Sequence, residues 1–354
     1  MKSSDVTFTT TQQRRLVCCA VQDEEYCFDL SEVRSITRAN QMAPHASPES
    51  MSADPQLGWV AAQQDKLPVY DLAHRLQLAP KPDAQTSLDG FIVLLKANQP
   101  FALRVDRITG SVDIPCPQFV KLPPMVAAGT DPIFKGIAQL EEKWLLCADA
   151  NQLRPRSNAT SVEAVRSLPE IVSSSDAIPT RTTETRSSAI LRKTPSRVLI
   201  FLPAAMLGQD EEAPPIAFGL SITQVQQVTK WTKIIPVPNA PSYVFGIINW
   251  RNLPVPVIDL KVRLGIHTTP ANPKSIDPNS RLLIARGPQQ TEPIGFLVTP
   301  QVKTFHLPIP YQPLQQPLTL ESSFVKGIFD LEGTPFVIPD LDAILTSPIA
   351  PRLP

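Results

Sequence analysis

The sequence predicts a mainly β fold made of two copies of one domain, on three observations. First, Leu67-Pro68-Val69-Tyr70-Asp71-Leu72-Ala73-His74-Arg75-Leu76 aligns without a gap onto Val255-Pro256-Val257-Ile258-Asp259-Leu260-Lys261-Val262-Arg263-Leu264, and Gly58 falls opposite Gly246 at the same spacing. A match of that length marks an internal repeat, which conditions every later reading. Second, short apolar runs of strand length recur between turn residues along most of the chain. Third, the chain has 39 Pro against 13 Gly, which favours short strands, turns and sheet edges over long helices. Many short strands at regular spacing suit barrels or sandwiches.

In the first copy, Leu16 to Val21 and Tyr26 to Leu30 read as strands, with Gln22-Asp23-Glu24-Glu25 as their turn. Ser31 to Ile36 continues with one apolar residue at every third position, and Pro44, Pro48 and Pro55 mark residues 39–56 as loop. Gly58 to Tyr70 is a hairpin, and Phe91 to Leu95 with Phe101 to Val105 is another. Phe134 to Ile137 and Trp144 to Cys147 close the copy. Residues 1–13 read as a tail and 14–153 as the first domain. Residues 154–196 are rich in Ser, Thr and Arg, with too few apolar side chains to offset ordering entropy, and read as a flexible linker.

The second domain spans 197–348. Val198 to Leu202 and Ile216 to Leu220 are its first strands, and Ser221 to Val228 answers Asp29 to Ile36 of the first copy. Val244 to Ile248 and Leu253 to Ile258 form a hairpin around Asn249-Trp250-Arg251-Asn252, where Asn suits a turn because it tolerates positive φ. Asp259 reads as a helix N-cap, Leu260 and Leu264 share the helix face one turn apart, and Gly265 ends it. Strands at Leu282 to Ala285, Ile294 to Val298, Val325 to Ile328 and Phe336 to Ile338 follow. Asp340 caps a last short helix with Leu341, Ile344 and Leu345 inward.

Several function classes drop out. Lys+Arg and Asp+Glu both number 33, so bulk charge recruits neither nucleic acid nor an anionic membrane. His45, His74, His267 and His306 are scattered without ligand spacing, and no phosphate loop or Gly-x-Ser-x-Gly elbow is present. Asp71 and Asp259 recur, but each sits at a strand-to-helix junction, where capping is the expected use. No catalytic residue, cofactor or metal ligand is assigned, and a non-enzymatic protein is expected. All five Cys fall in the first copy without Cys-x-x-Cys spacing, as expected of small buried residues in a reducing compartment. Met1 to Arg15 lacks a signal-peptide core, and the longest apolar run is far shorter than the ~20 residues of a spanning helix, so a cytoplasmic protein is expected.

One stretch stands out. Trp250 and Arg251 at a hairpin tip are poorly placed for a core, and both are residue types that dominate interface hot spots. Gly246-Ile247-Ile248-Asn249-Trp250-Arg251-Asn252-Leu253-Pro254-Val255-Pro256-Val257-Ile258-Asp259-Leu260 resembles the signature of CheW-like domains, roughly Gly-hydrophobic-hydrophobic-Asn-x-Arg-Gly-x-x-x-Pro-Val-hydrophobic-Asp-Leu. The opening Phe218 to Val225 and the closing Lys326-Gly327-Ile328 also fit. The resemblance covers nearly all of both copies and skips the linker.

The resemblance implies a fold of two small five-stranded β-barrels per domain, with one or two short helices. It implies an adaptor of bacterial chemosensory arrays that bridges chemoreceptor tips to a CheA-type histidine kinase, with other CheW-like proteins as further partners. Such a protein is cytoplasmic, recruited to membrane-associated receptor arrays without inserting into the bilayer. The partner-contact turn falls on Asn249, Trp250, Arg251 and Asn252. Two departures matter: Asn252 stands where the family has Gly, and the first copy has Ala61-Ala62-Gln63-Gln64, without the Asn and Arg. The first copy's contact is therefore expected to be lost or changed. The competing readings are a degenerate regulatory paralogue that binds one partner only, and a ligand-binding or enzymatic protein that keeps only the fold. Chemotaxis, gliding or twitching and pilus control are all compatible with the sequence.

Overall fold

The computed structural model describes residues 13–44, 55–63, 65–78, 89–127, 133–140, 143–154, 197–204, 215–230, 232–266, 277–306, 320–331 and 333–347. The linker expected over 154–196 lies outside these residues apart from Arg154, and the tail apart from Gln13. The described chain is mainly β with a few short helices, as the sequence predicts. It divides into two compact units, Met1–Leu122 with Thr130–Ser173, and Pro123–Gly129 with Ser174–Pro354.

Strands of the first copy are β1 (Gln13–Val21), β2 (Glu24–Asp29), β3 (Val33–Arg38), β4 (Ala43–Pro44), β5 (Gln56–Ala62) and β6 (Asp65–Asp71). The short helix α1 (Leu72–Arg75) follows, then β7 (Phe91–Leu95), β8 (Phe101–Val105), β9 (Arg107–Pro115), β10 (Phe119–Val120), α2 (Pro124–Ala127), β11 (Phe134–Leu140) and β12 (Lys143–Ala148). They make two sheets, in the orders β10-β11-β12-β2-β1-β9 and β3-β7-β8-β6-β5-β4. The edge strands of each sheet are successive pieces of one stretch of chain. β9 and β10 flank the 3-10 turn Cys116–Gln118, and β3 and β4 flank the turn at Ala39–Gln41. Each sheet thus counts six strands but only five excursions, because a turn breaks one excursion in two.

The second copy follows the same plan with β13 (Arg197–Pro203), β14 (Ala217–Ser221), β15 (Val225–Lys230), β16 (Val244–Trp250), β17 (Leu253–Ile258), α3 (Leu260–Arg263), β18 (Arg281–Arg286), β19 (Pro293–His306), β20 (Val325–Leu331), β21 (Thr334–Pro339) and α4 (Leu341–Thr346). Its strands join in one nine-stranded sheet. The link is β19, which pairs with β17 and β18 at its start and with β13 at its end. The first copy interrupts the equivalent stretch at Asp106, between β8 and β9, and its sheets stay separate.

Apolar alternation sets the cores. On β5 burial alternates with exposure from Gly58 to Ala62, as a strand with one wet face requires. In the second copy the rings of Phe201, Phe218 and Phe296 stack at centroid distances of 6.0 and 6.2 Å, at the centre of one cluster. A second cluster gathers Ile248, Trp250, Val255, Val257, Leu282 and Ile284 beneath the β16–β17 hairpin.

The helix after each hairpin carries two repeated anchors. Asp71 Oδ1 accepts from the Ala73 N–H at 2.7 Å, and Asp259 Oδ1 from the Lys261 and Val262 N–H groups at 2.9 and 3.3 Å, so both are N-caps. Asp340 caps α4 in the same way. One turn on, Arg75 donates to the carbonyls of Leu153 and Arg154 at 3.0 and 2.8 Å. Arg263 donates to those of Ile344 and Ser347 at 2.9 and 2.8 Å, lying over Tyr243 and Phe324 at 4.6 and 4.2 Å. In each copy an arginine therefore ties the hairpin helix to the domain's last segment.

The repeated glycines have a steric cause. A Cβ on Gly58 would lie 2.3 Å from the Ala43 carbonyl oxygen, and one on Gly246 would lie 2.2 Å from that of Ile235. Both glycines sit where the hairpin register shifts, at Gln56/Gly58 and at Val244/Gly246. Gly246 also has φ +143°. Gly246→Ala should cost at least about 3 kcal/mol, from backbone strain plus displacement of the Ile234–Ile235 backbone. Gly333→Ala, at φ +79° with nothing within 4 Å of a Cβ, should cost only about 1–2 kcal/mol. Denaturant unfolding of the two variants checks this, and equal losses would contradict it.

The thiols follow from the same packing. Cys18, Cys19, Cys27 and Cys147 are buried and Cys116 is half-buried. Burial pushes the Cys18 and Cys19 thiols above their ordinary range, and the Cys147 contact followed by burial does so for Cys27. A chromogenic thiol reagent should find one fast-reacting group in the native protein and all five after denaturation. Two or more fast groups in the native state would contradict the packing.

Candidate partner-contact site at the second hairpin tip

The four residues singled out in the second copy meet at one tip, but they do four different things. β16 runs two residues further than the sequence suggests, through Asn249 and Trp250, and Trp250 pairs with Leu253. The link is thus a two-residue turn, Arg251-Asn252, with φ 53° and 63°. Positive φ at both central residues is what a type I′ turn requires, and this type matches the twist of the flanking strands. Asn252 supplies its share of that geometry in place of the family's Gly.

Strand alternation then sorts the side chains. Trp250 is only 8% exposed and belongs to the cluster beneath the hairpin, which corrects the expectation that a tip Trp lies outside the core. Its indole Nε1–H donates to Gln227 Oε1 on β15 at 2.9 Å, which satisfies the ring's one polar group. Asn249 points outward, and its Oδ1 accepts from the Asn252 N–H at 3.0 Å, closing the turn. Arg251 is exposed, with its guanidinium carbon 4.6 Å from the Trp250 ring centroid. It has no ion pair with any other described residue.

The result is a guanidinium resting on a fixed aromatic platform. A cation over a Trp face gains about 0.5–1 kcal/mol at an exposed site, enough to bias orientation. The forked donors remain available for a carboxylate. Leu253 beside it is 46% exposed, so the tip offers apolar surface as well as charge. Gln227 and Leu253 were not singled out in the sequence. Gln227 acts over 23 positions and has no local signal. Leu253 reads as an ordinary strand residue until the register turns it outward.

The first copy's tip is built differently. Gln63 has φ 58°, matching Arg251 without the arginine side chain. Arg34 of β3 reaches this tip instead. Its Nη2 donates to Gln63 Oε1 at 3.0 Å, and its Nη1 lies 3.7 Å from Asp65. Gln64 lies outside the described residues. Among the described residues no group of His, Cys, Asp and Glu is arranged to hold a metal ion, and His45 and His267 lie outside them. Among them also, no helix is long and apolar enough to cross a membrane.

Comparison with known proteins agrees with the repeat. The CheW-like domain family model matches twice, at residues 15–156 and 206–348. The chemotaxis protein CheW of Rhizobium meliloti (strain 1021) is 28% identical over 134 residues, covering 37% of this chain and 81% of its own length. That of Bacillus subtilis (strain 168) is 43% identical over 49 residues, covering 14% and 31%. The crystal structure of the scaffolding protein TtCheW from Thermoanaerobacter tengcongensis aligns at a TM-score of 0.34 and 20% identity, over 40% of this chain and 92% of that one. With its internal repeat and both halves matched, the chain belongs to the CheW-like domain family and carries that domain twice in tandem.

Proposed function

We propose that this protein is a non-enzymatic adaptor that couples chemoreceptor cytoplasmic tips to a CheA-type histidine kinase. The family supports an adaptor or scaffold role in chemotaxis. The observation that carries it is Arg251, exposed at a rigid tip while its neighbours Asn249, Trp250 and Asn252 are spent on holding it there. A guanidinium seated on Trp250 and, among the described residues, without an ion pair is organised for an external carboxylate. Residues 14–153 and 197–348 act as two modules, and 154–196 as the tether that keeps one module near a partner held by the other. The protein works in the cytoplasm, at receptor arrays.

Two substitutions in the full chain separate contact from structure. Arg251→Ala should leave the melting temperature near wild type and weaken its site for a chemoreceptor cytoplasmic fragment about thirtyfold, roughly 2 kcal/mol. Asp259→Ala should do the reverse, costing ~1 kcal/mol of folding stability as a lost N-cap, with affinity unchanged. Thermal unfolding and a binding titration on each variant decide. If Asp259→Ala abolishes binding in a fully stable protein and Arg251→Ala does nothing, the contact has been placed on the wrong residue.

A further inference from the structure

We infer that the row of thiols Cys18, Cys27 and Cys147 in the first copy is a redox site. There a small two-electron oxidant such as hydrogen peroxide joins Cys27 to Cys147 as a disulfide and staples the copy's first hairpin to its last. The inference does not depend on the adaptor reading above.

The row comes from strand register. β1 and β2 place Cys18 opposite Cys27, and β2 and β12 place Cys27 opposite Cys147. Directly opposed residues point to the same face of a sheet. All three thiols belong to one buried cluster, with Leu16, Ile114, Ala138 and Leu145. Three adjoining strands therefore carry three thiols side by side, with Cys27 in the middle. Its Sγ is in hydrogen-bond contact with the Cys147 thiol, and it donates to the Leu146 carbonyl oxygen at 3.6 Å. Neighbouring strands lie about 4.8 Å apart, inside the Cα separations of about 4.4–6.8 Å that a disulfide spans.

The fold does not ask for sulfur at these positions. In the second copy β13 and β14 take the places of β1 and β2, and Ile200 pairs with Gly219 where Cys18 pairs with Cys27. Ile338 stands opposite Gly327 as Cys147 stands opposite Gly136. The same sheet plan thus closes around Ile, Gly and Ile. The thiols also sit at a joint. In the sheet β10-β11-β12-β2-β1-β9, the first hairpin meets the last through a ladder of three pairs, Tyr26 with Leu146, Cys27 with Cys147 and Phe28 with Ala148. A covalent bond there encloses most of the copy in one loop.

The chemistry balances within the row. Cys18 is 7% exposed and the other two 0%, so oxidant enters at Cys18. Its sulfur attacks one peroxide oxygen, giving a sulfenic acid, and the departing hydroxide takes up the thiol proton as water. Cys27 attacks that sulfur, and the sulfenic hydroxyl leaves with the Cys27 proton as a second water. Cys147 then attacks the Cys27 sulfur, and Cys18 leaves and takes up the Cys147 proton. Two thiols lose two electrons and two protons, and one peroxide becomes two waters. Burial holds the Cys18 thiol in its protonated form, so these steps are slow. Bulky thiol reagents are shut out by the same packing, whereas peroxide is close to water in size.

The test treats the full chain with hydrogen peroxide under native conditions and quenches it in acid. Thiols are then alkylated in denaturant, before and after reduction, and mapped by peptide mass. Two of the five thiols should disappear and return on reduction, and they should map to one Cys27–Cys147 pair. The unfolding midpoint should rise by about 5 °C or more on oxidation and fall back on reduction. Cys18→Ala should slow formation of the bond at least about tenfold, because the entry thiol is gone. Five free thiols after treatment, oxidation confined to Cys116, or a disulfide between any other pair overturns the proposal. An unchanged rate in Cys18→Ala overturns the relay. Should Cys18→Ala fail to fold, the wild-type map decides alone.

Discussion

A carbonyl pressed against a glycine governs this molecule. At Gly246 the Ile235 backbone comes so close that no Cβ fits, and at Gly58 the Ala43 backbone does the same. The contact closes the neighbouring stretch onto the hairpin through backbone bonds, Ile235 with Ile247 and Ala43 with Trp59. It also fixes where the register shifts. Beyond that shift the two-residue period decides every side chain, and a slip of one position would exchange inside for outside. Trp250 then falls into the cluster with Ile248 and Val255, Asn249 falls outside, and the turn lands on Arg251 and Asn252. The organisation of the tip follows from a clash several residues away.

The same logic separates stability from contact. Packing in each domain is carried by aromatic stacks, the capped helices and the arginines that tie those helices to the last segment. None of these needs Arg251. The tip can therefore change its charge while the fold is kept, and the two copies do differ there. One places a guanidinium on the turn and Leu253 beside it, while the other places Gln63 and Asp65 on the hairpin and reaches in with Arg34. A duplicated domain free to vary its tip on a constant frame is well suited to holding more than one partner.

Much of this was legible in the sequence because the repeat and the alternation are local signals. The mainly β class, the hairpin at 244–258 and the caps Asp71, Asp259 and Asp340 each follow from residues within a few positions of one another. What was not legible depends on pairs distant in the chain. The local sequence suggests a four-residue turn because Asn249 looks like a turn former, whereas its side chain closes a tighter turn from the end of a strand. Trp250 reads locally as lying outside the core because its cover comes from residues such as Ile284 and from Gln227 on other strands. Arg34 gave no sign of reaching Gln63 across 29 positions. The six-strand count of each first-copy sheet depends on where a 3-10 turn interrupts an excursion, which composition does not reveal.

The proposed adaptor joins two different proteins at once. Sedimentation velocity of a three-component mixture tests it most directly: the full chain, a chemoreceptor cytoplasmic fragment and the regulatory domain of a CheA-type kinase, each distinguishable by its own absorbance label. The account predicts one fast-sedimenting species that carries all three labels, with neither partner displacing the other as its concentration rises. Mutual displacement of the two partners, or binding of only one of them, would contradict it.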